Sequence, residues 1–154
     1  MRGGLPLFHF SERGTIVAIQ SETELYSPIK AFLEKLGYVV KSEIQSCDIV
    51  AIREDEEEPL IVELKKSFNL SLLIQGMNRL KITDKVYLAV EQSAKKRGPH
   101  HTKWGDIIQL CRMLGLGLLT VRFYKTKKPV IEVLCEPTPY VPRQSKKRTA
   151  LLLY

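Results

Sequence analysis

The apolar residues of this chain fall into blocks of alternating period, and the order of those blocks restricts the fold more than any other feature of the sequence. Over residues 21–36, Leu25, Ile29, Phe32, Leu33 and Leu36 recur at helical spacing, and Gly37 follows as a stop signal. Two starts fit this helix. Ser21 with Glu24 makes a capping box, and Ser27 before Pro28 makes an N-cap with proline at the first helical position. The earlier start puts Pro28 inside the helix, where it would bend it. Short β-prone runs follow at residues 38–43, 47–53 and 60–65. Between the last two, the acidic stretch 54–58 closed by Pro59 reads as a solvated hairpin tip rather than a metal site.

Residues 70–82 form a second helix, with Leu70, Leu73, Ile74 and Met77 as its apolar stripe. A buried strand at 84–90 and a basic loop at 95–103 come next. Trp104, Ile107, Ile108, Cys111 and Leu114 then mark a third helix, ended by Gly115 and Gly117. Strands at 116–124 and 130–135 complete the body. Helix, three strands, helix, strand, helix and two strands is the order of an α/β fold with a mixed sheet flanked by helices.

A chain of 154 residues supports one well-buried core. Residues 1–20 read as an N-terminal extension holding at most a short strand, 21–136 as the folded domain and 137–154 as a basic C-terminal tail. The tail carries Arg143, Lys146, Lys147 and Arg148 and ends in Leu-Leu-Leu-Tyr154, like the opening of a further helix, so a truncated or naturally short product is expected. Usage of 44% hydrophobic and 27% charged residues is that of a globular domain, not of a disordered or fibrous one. The longest apolar stretch, 116–121, falls far short of the roughly 20 residues of a membrane span. Residues 1–20 hold no secretory h-region. Cys47, Cys111 and Cys135 are odd in number and lack a CxxC pair, which suits reduced core thiols rather than disulfides or structural zinc. A cytoplasmic location is expected.

Charge is divided unevenly. Residues 1–90 carry 11 basic and 13 acidic side chains, whereas residues 91–154 carry 13 and 4. The one-sided positive field of the second part is that of a nucleic-acid binder. Lys95, Lys96, Arg97 and Lys103 are its candidate phosphate contacts, and His100 and His101 between them have no third ligand spaced for zinc. Trp104 lies on the apolar stripe of the third helix and is assigned to the core.

The chemistry-bearing feature is Leu60-Ile-Val-Glu63-Leu-Lys65. Alternation along a strand projects Glu63 and Lys65 from one side, and burying two charges among Leu60, Ile61 and Val62 is costly unless something uses them. Asp48 opens the neighbouring strand, and hairpin pairing brings it toward Glu63. Two carboxylates suit a hard cation such as Mg²⁺ or Mn²⁺, which can activate a water and polarise a phosphoryl oxygen. Lys65 would orient that water or offset charge developing on the phosphate.

Glu22 to Lys30, Gly37-Tyr-Val-Val-Lys41, Cys47-Asp-Ile-Val-Ala51, Val62-Glu-Leu-Lys-Lys-Ser-Phe-Asn-Leu70, Gln75 and Leu80-Lys-Ile-Thr-Asp-Lys-Val-Tyr-Leu-Ala89 together resemble the PD-(D/E)XK nuclease superfamily over residues 21–90. They are more closely similar to an uncharacterised bacterial family of PD-(D/E)XK-type phosphodiesterases, which the later Leu-Gly-Leu-Gly-Leu-Leu-Thr120 and the basic tail also fit. The resemblance implies a restriction-endonuclease-like core of helix, three-strand meander, helix and strand. It implies metal ligation by Asp48, Glu63 and the Leu64 carbonyl, with Lys65 as catalytic lysine. It adds an acid from the first helix, for which Glu22 is preferred because Glu24 serves the capping box. Gln75 would face the site from the second helix, with Arg79 one turn on as a phosphate contact. Cys47 stands where the superfamily pattern has proline, a position that ligates nothing.

The expected activity is Mg²⁺-dependent cleavage of nucleic acid, DNA in the first instance, by a monomer or homodimer. The alternative is a noncatalytic nucleic-acid-binding module on the same fold. A third reading is a docking domain whose basic tail engages protein or ribosome.

Overall fold

The computed structural model describes residues 14–44, 47–93 and 103–139, and the secondary structure within them follows the sequence periods closely. The strands are β1 (Ile16–Val17), β2 (Val39–Ile44), β3 (Cys47–Ile52), β4 (Leu60–Lys65), β5 (Lys85–Glu91), β6 (Gly117–Tyr124) and β7 (Val130–Cys135). The helices are α1 (Tyr26–Lys35), α2 (Leu70–Arg79) and α3 (Trp104–Leu114), with a 3₁₀ turn at Glu22–Leu25 leading into α1.

All seven strands join one sheet in the order β1-β6-β5-β4-β3-β2, with β7 also on β6. β4, β5 and β6 run parallel, and every other pairing is antiparallel. The protein is therefore α/β with a mixed sheet. The parallel strands are joined by crossovers through α2 and α3, and connections of one hand put both helices on the same face. Two apolar clusters match this layering. One gathers Leu25, Ile29 and Leu33 from the 3₁₀ turn and α1 against Ile49, Val62, Leu64, Ala89 and Leu119. The other gathers Leu72 and Leu73 of α2 and Cys111 of α3 against Ile61, Leu88, Val90 and Leu118.

The first helix starts at the capping box. The Ser21 side chain accepts from Thr23 N–H, and Glu24 Oε2 accepts from the Gln20 and Ser21 N–H groups at 2.7 and 3.1 Å. Pro28 has no N–H to donate to Glu24, and the helix is accordingly split into a 3₁₀ turn and an α segment just upstream of it. β1 and the buried Ile19, from the part of the chain read as an extension, join the sheet and the core.

α2 departs from its sequence reading in length and in phase. It ends at Arg79, three residues short of the expected end, and it buries Leu72, Leu73 and Gly76. Of the expected stripe only Leu73 is buried, while Leu70, Ile74 and Met77 are exposed. The cause is Gly76, where a Cβ would stand 2.6 Å from Leu88 Cδ2. A glycine offers no apolar side chain to a periodicity count, yet here it lets the helix backbone approach β5.

The acidic hairpin tip between β3 and β4 is more tightly tied than a solvated turn. Arg53 pairs with Asp55 at 2.7 Å and Glu56 at 2.9 Å, and Glu58 Oε1 accepts from Thr83 Oγ1 at 2.9 Å and Asp84 N–H at 3.0 Å. Cys111 and Cys135 are buried free thiols, and desolvation pushes Cys111 up to about 12, out of the reactive range. Cys47 belongs to β3, but its side chain lies outside the described set.

Gly76→Ala is expected to overpack the α2–β5 contact and cost about 1–3 kcal/mol in urea unfolding. Gly105→Ala, in α3 with nothing within 4 Å of the added methyl, should cost nothing or stabilise slightly. Equal effects of the two substitutions would contradict the close approach.

Candidate functional site

β3 and β4 pair antiparallel with Ile49 opposite Val62 and Val50 opposite Ile61, so one further step puts Asp48 opposite Glu63. Directly opposed residues share a face of the sheet, with Cβ atoms about 5 Å apart. Val50 and Ile61 belong to the α2/α3 cluster, which fixes the face on which Asp48, Glu63 and Lys65 project. Register and alternation thus put these three side chains on one face of the sheet. Lys65, half-buried, sits two residues beyond Glu63 at the end of β4, while Lys66 lies past the strand end and is exposed.

Asp48 ends the β3–β4 ladder with its side chain. Its Oδ2 accepts the Leu64 N–H at 2.8 Å, an amide lying beyond the backbone pairs of the two strands. In an extended strand one residue's N–H and C=O leave by the same edge, so the Leu64 carbonyl also faces the β3 side, toward Asp48.

Glu63 is the most constrained group. Its residue is 1% exposed, and Oε2 accepts from Arg79 Nε at 2.7 Å. Its other oxygen, Oε1, is buried with no partner in good hydrogen-bond geometry among the described residues, although the Asp48 backbone N–H lies near enough to the carboxyl to favour its charged form. Burial raises the carboxyl pKa above its usual 4.5, the Arg79 guanidinium opposes the rise, and the nearby Asp48 charge adds to it. A buried carboxylate oxygen left unpaired is costly, and a cation or proton at Oε1 is what would relieve it. The donors fit a hard divalent ion, since two carboxylates and a backbone carbonyl supply only oxygen.

Arg79 was expected at a phosphate and is found on Glu63. Side chains on a helix lean toward its N-terminus, so an arginine in the last turn of α2 reaches back along β4 to the carboxylate. Gln75, half-buried one turn earlier, lies on the same side of α2. Glu22 is not brought to the pair. It opens the 3₁₀ turn, whose buried Leu25 packs in the α1-side cluster on the other face of the sheet. Among the described residues, no group of three or more His, Cys, Asp or Glu side chains is arranged to hold a metal.

Lys103 is exposed immediately before α3, while Lys95, Lys96, Arg97, His100, His101 and the basic tail lie outside the described residues. Trp104 is partly buried against the α2/α3-side cluster, as a core residue. Glu91 escaped the sequence reading. It is 7% exposed at the end of β5, and its Oε2 accepts the Ile19 N–H at 2.9 Å, tying the chain before the 3₁₀ turn to the sheet. The signal for it was a lone acid closing the apolar run Val86 to Val90.

Comparison of the chain with family models, with curated proteins and with solved structures finds no match. Among the described residues no helix is long and apolar enough to cross a membrane.

Arg79→Met removes the cation from a buried carboxylate and should cost about 3–5 kcal/mol at neutral pH. With its pKa raised, folded Glu63 holds a proton over a range in which the unfolded chain has lost it. Stability therefore falls as pH rises from about the usual 4.5 through the raised value, and the variant widens that window. Urea unfolding across pH checks this, and a pH-independent difference between variant and wild type would contradict it.

Proposed function

We propose that this protein is a divalent-metal-dependent phosphodiesterase that cleaves nucleic acid, DNA in the first instance, inside the cell, and that its sheet and helices are a restriction-endonuclease-like core. The observation that carries the reading is the pair Asp48 and Glu63 on one face of the sheet, with Oε1 of Glu63 buried and unpartnered among the described residues and Lys65 on the same side. The order of helix, three-strand meander, helix and strand over residues 22–91 accords with the resemblance to PD-(D/E)XK phosphodiesterases.

In this reading Asp48, Glu63 and the Leu64 carbonyl hold Mg²⁺ or Mn²⁺. The ion supplies an activated water and Lewis acidity at the phosphoryl group. Lys65 orients the attacking water and offsets charge that develops on the equatorial oxygens. Arg79 neutralises Glu63 at rest, and its guanidinium would stand beside a phosphate drawn to an ion held by that carboxylate. Gln75, on the same side of α2, helps to position the substrate. Glu22 acts only if the 3₁₀ turn delivers it around the sheet edge. Lys103 and the basic stretch before it provide backbone contacts whose strength falls with salt.

One observation favours the alternative, a noncatalytic nucleic-acid-binding module. Arg79 already occupies one oxygen of Glu63, as a structural cation would. Incubation with supercoiled plasmid and end-labelled single- and double-stranded oligonucleotides, in Mg²⁺, Mn²⁺ or EDTA, separates the two. Cleavage is expected with metal alone, reduced roughly 100-fold or more in Asp48→Asn, Glu63→Gln and Lys65→Gln. Binding without cleavage under any metal would establish the module and remove the enzyme.

A further inference from the structure

β6 carries a cation that the proposed centre does not use. Arg122 lies two residues before the end of β6, and its Nε is buried without a hydrogen-bond partner among the described residues. No acid among those residues pairs with its guanidinium. A desolvated, unpaired guanidinium N–H is a costly thing to keep, and such groups call for an explanation.

Its place in the sheet supplies one. Leu118 packs in the α2/α3-side cluster, so alternation along β6 puts Thr120 and Arg122 on the face that carries Glu63 and Lys65. Val90 pairs with Lys65 on one side and Thr120 on the other, which sets Arg122 one side-chain step past the level of Lys65. The two residues are thus separated by two strand spacings, about 10 Å across the sheet. Both stand at the carboxyl end of the parallel strands, the end at which open α/β sheets bind ligands. Gln92, following β5, lies between them, with Oε1 at 3.5 Å from Thr120 Oγ1. The edge continues as a basic one. Lys125 and Lys128 are exposed in the turn after β6, and Lys103 is exposed at the start of α3, which the chain enters from this same end.

We infer that Arg122, with Lys125 and Lys128 in the turn that follows its strand, is a second phosphate-binding point that holds the nucleic-acid backbone away from the reacting phosphate. The inference rests on the nucleic-acid reading of the site and extends it across the sheet edge from β4 to β6. The metal of the proposed centre would sit at Asp48 and Glu63, whereas Arg122 carries its own positive charge. Backbone binding at Arg122 therefore does not require metal.

Fluorescence anisotropy of labelled 20-nucleotide single-stranded and duplex DNA, in EDTA and across a salt series, tests this on the full chain. Arg122→Gln is expected to weaken binding about tenfold, uniformly across sequences, and to lower the salt slope by about one. Arg122→Lys should keep the slope and lose affinity, which covers the case in which the glutamine variant does not fold. Lys125→Gln with Lys128→Gln should lower the slope further, and Lys35→Gln, exposed in the last turn of α1 on the other face, should change nothing. Wild-type affinity and slope in all the β6-end variants would overturn the inference and leave the nuclease reading standing. Failure of the wild-type chain to bind either DNA would overturn the nucleic-acid reading itself.

Discussion

A carboxylate held out of water must be neutralised, and the architecture of this protein around β4 follows from that demand. Glu63 is set into a strand whose neighbours are Ile61, Val62 and Leu64, all buried. One of its oxygens is answered by Arg79, which requires α2 to end where it does and to lie close to the sheet. The close approach in turn requires Gly76, because a methyl there would collide with Leu88. Asp48 adds a second negative charge across the ladder and is stabilised by the Leu64 amide. One oxygen of Glu63, Oε1, stays buried and unpartnered among the described residues, and a cation there would satisfy it.

The parallel strands give this cluster its surroundings. β4, β5 and β6 end on the same edge, so Lys65, Gln92 and Arg122 are brought to one rim by register alone. Asp48 and Glu63 stand with Lys65 on the β3–β4 side of the sheet, and Arg122 stands on β6. A polyanionic chain bound along this rim would meet Arg122 at one end and the proposed metal site at the other.

Much of this was legible in the residues because short-range rules decide it. Period-two alternation put Glu63 and Lys65 on one side, and a hairpin with a charged tip left one simple register for Asp48. The capping box at Ser21 and Glu24 was equally local. What was not legible depended on how a helix rotates against the sheet. α2 has apolar residues nearly all round, so Leu70, Ile74 and Met77 made as good a stripe as Leu72, Leu73 and Gly76, and only packing against β5 selects the second. Arg79 was assigned to phosphate for the same reason, since its partner is set by that rotation. Glu22 was grouped with the acids by sequence order, but the 3₁₀ turn carrying it packs against the opposite face of the sheet. Glu91 was overlooked because the amide it satisfies lies 72 residues away along the chain.

The central claim is that Asp48 and Glu63 form one cation-sized gap, and diffraction from crystals soaked in Mn²⁺, recorded at the manganese absorption edge, tests it most directly. The account predicts one anomalous peak bounded by carboxylate oxygens of Asp48 and Glu63 and the Leu64 carbonyl, with the formerly unpartnered oxygen of Glu63 among its ligands. Saturating Mn²⁺ with no peak at that position, and Arg79 still paired with Glu63, would contradict it.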